Sequence, residues 1–164
     1  MRPRPYWTGP GQRSVWGFPR QATAKCCAAH LRGEHGGHLI ADTRASAYTV
    51  ETIHPPSYFI PPNALTADVQ RPVDAGSFCE WKGSATYWNV VIHAVIIPRV
   101  GWSYLVRTLT CAMLDEHGTF YGAPFDRSLV DGETVVREPG SVCGGWATDA
   151  LAGPFNGIPG NTGW

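Results

Sequence analysis

The sequence is short of charge. Charged side chains make up 16% of its 164 residues, against about 25% in an average soluble domain. Acidic and basic residues balance at 13 each, so the formal net charge is zero. Binding to a phosphate backbone needs a clustered basic excess, so no nucleic-acid partner is expected. Lysine is almost missing: Lys25 and Lys82 stand against arginines that are scattered, except for Arg2, Arg4, Arg13 and Arg20 near the start. Long apolar runs are missing too. The best, Val90 to Ile97, is short and holds His93, whereas a membrane span needs about 20 residues, so no membrane partner is expected. The opening MRPRPYWTGPGQ lacks the apolar core of a secretory signal. Five cysteines, an odd number without regular spacing, fit reduced thiols and a cytoplasmic location better than a disulfide framework.

What the chain has instead is glycine, proline and aromatic residues. Gly (19) and Pro (14) make one residue in five, and the aromatics include seven Trp. Both Gly and Pro are poor inside helices, which argues against a bundle and for short strands joined by turns. The length suits one domain, and 43% apolar residues are the wrong composition for disorder. Residues 1–20, rich in Pro, Gly and Arg, read as an irregular arm anchored by Trp7 and Trp16. Residues 21–164 read as a single domain that includes a Gly- and Pro-rich tail.

Strand patterns follow the arm. AKCCAAHLR, HLIADT and AYTVETI read as the first three strands. HPPSYFIPP (54–62) reads as an extended connector with room for one cis X-Pro bond, because proline cannot donate to a ladder. PPNALTADV follows with one helical turn started by Pro62. SFCEWK, TYWNVVI and VIIPRVGWSY carry the densest strand signal, although His93-Ala94 is a poor hairpin turn. Thr108 to His117 is the helix candidate, with Leu109, Ala112 and Met113 on one face and Gly118 at its end. SLV-DG-ETVV reads as a hairpin, since Asp-Gly accepts the positive φ of a type I′ turn. Trp146, Phe155 and Trp164 are expected to pack the tail onto the domain.

The order of LIADTRA, VETIHPPSYFIPP, SFCEWKGSATYW, GWSY, VDGETV and GGW-to-GPFNGIPGNTGW resembles the DUF427 family, also labelled NTP_transf_9. The resemblance covers about residues 14–164, and the CEWKG-x-A-x-YW and HPP-x-Y-x-IPP segments are its most specific parts. It implies a small, mainly β domain of bacterial or fungal type, without an assigned reaction. It also suggests a tent-like β fold, although the paired CxxC zinc motifs of the Mss4-like proteins are absent.

Several constellations could carry chemistry. If SFCEWK is a strand, Glu80 and Lys82 share one face and Cys79 and Trp81 the other. Glu80 and Lys82 are then the candidate catalytic or ligand-orienting pair; the plain alternative is a surface ion pair beside a buried Trp. Tyr58, Phe59, Tyr87, Trp88, Trp102 and Tyr104 could wall a small-molecule pocket or simply fill a core. Arg44 could hold an anionic group, or be solvated in a turn capped by Asp42. Cys26, Cys27, His30, His35 and His38 are close in sequence but lack repeated ligand spacing, so no metal is expected. Cys79, Cys111 and Cys143 read as structural thiols, and His54 and His93 as turn residues with the capacity to act as bases. GPFNGIPGNTG is not a phosphate-binding loop, since it lacks Gly-Lys-Ser/Thr, and no cofactor is expected.

The resulting expectation is a single bent antiparallel sheet or open, tent-like barrel with one short helix. Its function would be to bind a small polar or anionic molecule. Glu80 and Lys82 would fix polar groups and Arg44 an anion, with Tyr58, Trp81, Tyr87, Trp88, Trp102 and Tyr104 as ligand-binding walls. The alternatives are an enzyme using Glu80 for acid–base work with Lys82 as electrostatic stabiliser, and a structural or protein-interaction module. Edge strands that need covering leave a homodimer open.

Overall fold

The computed structural model describes residues 3–66, 71–80, 82–106, 109–114, 116–121, 125–139 and 144–158. In chain order the strands are β1 (Arg13–Ser14), β2 (Thr23–Cys27), β3 (Leu31–His35), β4 (His38–Thr43), β5 (Ser46–Val50), β6 (Ser57–Phe59), β7 (Arg71–Cys79) and β8 (Gly83–Ile92). They continue with β9 (Val95–Val106), β10 (Gly118–Phe120), β11 (Arg127–Val130), β12 (Glu133–Thr134), β13 (Val136–Arg137), β14 (Trp146–Ala147) and β15 (Leu151–Ala152). The mainly β class is observed as several small sheets with no closed barrel. Their orders are β10-β9-β8-β7, β12-β11-β3-β4 and β2-β5-β6, with two-stranded pairs β13–β14 and β1–β15. Among the described strand pairs only β1–β15 is parallel; it ties Arg13–Ser14 to Leu151–Ala152.

The single bridge of Ile60 to Gly118 links the end of β6 to β10, that of Ala41 to Leu65 ties β4 to the turn at Pro62–Ala64, and shared apolar cores join the sheets. Leu31, Ile40, Ile60, Val90, Phe120 and Trp146 form one core. Phe59, Ala85, Trp102, Tyr104, Cys111 and Leu114 form a second. Val15, Phe18 and Val50 form a third. Strands this short do not persist alone. Burial of each large apolar side chain, about 1.5–3 kcal/mol, is what holds them.

The sequence pattern is met at several elements and departed from at others. HLIADT is β4, and Asp131-Gly132 turns between β11 and β12 with φ of 50° and 82°. AKCCAAHLR is not one strand. β2 pairs with β5, whereas β3 pairs with β4 and β11, so the chain must break between them to serve two sheets. The backbone N–H of His30 donates to the Asp131 carboxylate (2.8 Å) at that break. The connector contributes a strand after all: β6 pairs with β5 between two Pro-Pro steps that are kept off the ladder. The cis bond expected there falls at Gly153–Pro154 instead.

The expected helix is a pair of 3-10 turns, Leu109–Leu114, kinked at Cys111 (φ −121°). Among its described side chains Cys111 and Leu114, three apart, are buried, while Ala112 and Met113 face solvent. A period of three suits a 3-10 turn and not the α-helical face anticipated. Gly118 begins β10 and caps nothing; the Thr108 cap lies outside the described residues.

The N-terminal segment is held by Val15 and Phe18, both buried, and by the Trp16 indole N–H donating to the Pro154 carbonyl (3.0 Å). Trp7, expected as an anchor, is 99% exposed. In the tail, Trp146 is buried and Phe155 packs on the third core, while Trp164 lies outside the described residues. No helix among the described residues is long and apolar enough to cross a membrane.

The β8–β9 turn is made by the dipeptide that looked unsuitable. His93 and Ala94 both take left-handed φ, 45° and 67°. Histidine tolerates this better than alanine, whose Cβ crowds its own carbonyl there. Replacing Ala94 with Gly is expected to stabilise the protein by about 0.5–1 kcal/mol, the relief exceeding the added freedom of the unfolded chain. Thermal unfolding checks this, with a rise in midpoint of a few degrees; a fall would contradict the turn geometry.

Candidate functional site

The CEWKG segment is a hairpin loop. Cys79 of β7 pairs with Gly83 of β8, which leaves Glu80, Trp81 and Lys82 between the strands. Gly83 has φ 102°, a value that side chains oppose, so its role is to reverse the chain. This corrects the expected shared strand face. Glu80 is exposed, Lys82 is only 5% exposed, and no ion pair joins them among the described contacts. Trp81 lies outside the described residues.

Lys82 turns inward onto the aromatic floor of the second core. Its Nζ stands 6.0 Å from the centroid of the Tyr104 ring, at the reach of a cation–π contact. The Tyr104 hydroxyl accepts from the Trp102 indole N–H (3.2 Å). Trp102 in turn lies against Tyr121 (4.4 Å between centroids) and Tyr87 (6.4 Å), and Phe59 flanks Tyr104 (6.1 Å). Alternation along β9 places Trp102 and Tyr104 on one side and Ser103 on the other. Lys82, Tyr87, Trp102 and Tyr104 are therefore brought together.

Trp88, Tyr58 and Arg44 are not part of that group. The Trp88 indole N–H donates to Ser103 (2.8 Å), on the opposite side of β8 and β9. Tyr58 points away from Phe59, toward Tyr48 (6.1 Å) and Trp146 (5.6 Å). Arg44 is exposed in the turn after β4. That turn is capped by Thr43, whose hydroxyl accepts from the Ala45 N–H (3.0 Å), and not by Asp42. Asp42 instead engages His30 (2.7 Å) and Arg32 (3.4 Å).

A second buried constellation went unseen in the sequence. His54, at the head of the HPP connector, bonds through Nδ1 to the Glu138 carboxylate. Glu138 is 5% exposed, and its other oxygen accepts from the Gly145 N–H (3.1 Å). Gly145 is glycine because nothing larger fits. A Cβ there would stand 2.5 Å from the Pro55 carbonyl oxygen and 2.9 Å from the Glu138 carboxylate. A Cβ on neighbouring Gly144 would stand 2.6 Å from the Trp102 ring. The Gly144–Gly145 step thus lies between the lysine–aromatic cluster and the His54–Glu138 pair. His54 was readable as a potential base; Glu138, 84 residues away, sits in no local motif that would have marked it.

The Cys and His cluster of the first strands is dispersed. Cys26 is exposed and Cys27 half-buried on β2, His30 bonds Asp42, His35 lies 3.3 Å from Asp126, and His38 meets His93. No group of three or more metal-ligating side chains occurs among the described residues. Cys111 is buried and Cys79 half-buried, while Cys143 lies outside the described residues.

Fold and site together define a mainly β domain of small sheets with a buried lysine set on an aromatic cluster. The model of NTP_transf_9, a domain of unknown function (DUF427), matches residues 23–132, and the chain belongs to that family. Comparison with curated proteins finds no match. The matched span holds His54, Tyr58, Lys82, Trp102 and Tyr104; Glu138, Gly144, Gly145 and Trp146 lie beyond it.

Two predictions follow from these buried groups. Glu138→Ala removes the acceptor of the Gly145 N–H and the carboxylate partner of His54, and is expected to cost about 3 kcal/mol of stability by denaturant unfolding. Tyr58 supplies a pH dependence. Burial above all, then Cys27, Tyr48, Asp131 and Glu133, pushes its pKa well above the ordinary 10.0. The unfolded phenol ionises first, so stability is complete below about pH 10 and falls as pH rises beyond it. Tyr58→Phe is expected to flatten that alkaline decline, measured as thermal midpoint against pH.

Proposed function

We propose that the protein binds a small polar or anionic molecule at the Lys82–Tyr87–Trp102–Tyr104 cluster. The observation that carries this is the burial of Lys82 above the Tyr104 ring in a chain with only two lysines. Burying an ammonium costs several kcal/mol even after relaxation, and lysine is almost never fully buried unless it is paired. An ammonium donates hydrogen bonds to carboxylate or phosphate oxygens, and the rings offer apolar walls to the rest of a ligand. Glu80 and Arg44 are both exposed, and neither has a part in this reading.

The His54–Glu138 pair favours a second reading, acid–base chemistry in the same region. A carboxylate bonded to one imidazole nitrogen fixes the tautomer and orients the ring, the arrangement that general-base histidines use. In that reading His54 takes the acid–base part first given to Glu80, and Glu138 orients it.

The test is a panel of small carboxylates and phosphates followed by calorimetry, with Lys82→Met and Tyr104→Phe as variants. Loss of a charged hydrogen bond from Lys82 is expected to weaken binding by roughly tenfold or more. Unchanged affinity in Lys82→Met overturns the assignment. Turnover abolished by His54→Gln with binding retained supports the catalytic reading.

A further inference from the structure

Two hairpin tips from different sheets meet on the surface. One is the β3–β4 turn, whose Gly36 and Gly37 take φ of 56° and 76° and whose ends are the paired His35 and His38. The other is the β8–β9 turn at His93-Ala94. Across the gap, His38 Nδ1 and His93 Nε2 stand 3.3 Å apart, with ring centroids 4.2 Å apart. The two residues are 55 positions apart in the chain, and both are exposed.

We propose that His38 and His93 form a two-imidazole site for a borderline divalent cation of the Zn2+ class. Such an ion holds imidazole nitrogens at about 2.05 Å, and two of them on one tetrahedral centre then lie about 3.35 Å apart. The observed spacing matches that bite. Imidazole is the ligand type that Zn2+, Ni2+ and Cu2+ share, whereas Mg2+ and Ca2+ prefer oxygen. The remaining positions face solvent and are open to water.

The backbone around the pair is a second, independent observation. His93 and Ala94 hold left-handed φ where Asn-Gly would do so without penalty. Strain of this kind marks positions that the surrounding structure over-determines. The facing turn is also fixed: Asp126 accepts from the Gly36 N–H (2.7 Å) and lies 3.3 Å from His35 Nδ1. Two fixed turns therefore present two imidazole nitrogens at ligand spacing. A bound ion would cross-link the β12-β11-β3-β4 sheet to the β10-β9-β8-β7 sheet at their tips. Without a metal role, the same contact is an N–H···N hydrogen bond that closes the hairpins.

The experiment is calorimetric titration of ZnCl2 into protein free of any histidine tag, alongside His38→Gln, His93→Asn and Ala94→Gly. Asn at position 93 keeps the left-handed preference, so the turn survives. Wild type is expected to bind one equivalent, and either histidine variant to bind at least about tenfold more weakly, as removal even of supporting groups costs that much. Ala94→Gly is expected to bind like wild type. Zinc should also raise the thermal midpoint of wild type and leave that of His93→Asn unmoved. Failure of wild type to bind, or binding by either histidine variant as tight as that of wild type, overturns the proposal. Unchanged metal-free circular dichroism of the variants confirms that ligand loss, not unfolding, is being read.

Discussion

A proline pair that cannot donate hydrogen bonds organises much of this protein. Pro55 and Pro56 have no N–H, so these two residues can offer only carbonyls, and buried carbonyls must find donors. They find them in distant chain. Trp146 N–H donates to the Pro56 carbonyl (2.9 Å), and Asn156 N–H to that of Ile53 (2.9 Å). Ile53 N–H in turn donates to the Val15 carbonyl (3.0 Å). Arm, connector and tail are thereby tied at one place, with His54 and Glu138 within it. The close fit of Gly145 against Pro55 follows from the same constraint, because the two backbones must approach within hydrogen-bonding range.

This seam explains why the family match is smaller than the packed unit. Residues 23–132 supply the main sheets, yet Trp146, from beyond that span, is among the largest fully buried side chains. It packs with Leu31, Ile60 and Phe120, and its indole N–H donates to the Phe120 carbonyl (3.1 Å). Val15, from before the span, is equally buried in the third core. The flanking segments therefore complete the interior of the matched region, and the parallel β1–β15 pair closes them on each other.

Local chemistry was legible in the sequence, and partnership across the chain was not. The Asp131-Gly132 turn, β4 and the strand character of residues 86–92 and 95–104 follow from alternation and turn residues that neighbours alone decide. The end of β7 at Cys79 does not. Glu80 and Lys82 keep a strand-like pattern, and only the pairing of Cys79 with Gly83, with the positive φ of Gly83, takes them off the ladder. That single change separates Glu80 from Lys82 by sending one outward and one inward. Tyr58 and Phe59 show the same limit: both are aromatic, adjacent and plausible as walls, and the strand pleat sends them into different clusters. The roles of Glu138 and His93 depend on contacts 84 and 55 residues away, and no window along the chain contains those.

The scarcity of charge gives the buried polar groups their weight. On the surface, Arg32, Glu34, Asp42 and Arg127 form ion pairs at 3.3–3.5 Å with partly exposed side chains. Such pairs contribute little, because water screens them and long side chains lose freedom to make them. Lys82 and Glu138 are in the opposite regime. Each has left water, a cost repaid only when hydrogen bonds and opposite charge are well placed. Stability alone would be served as well by apolar side chains of similar size at both positions. A chain with so few charged residues buries one at each side of the Gly144–Gly145 step, where desolvation makes every electrostatic interaction of these groups stronger than it would be in water.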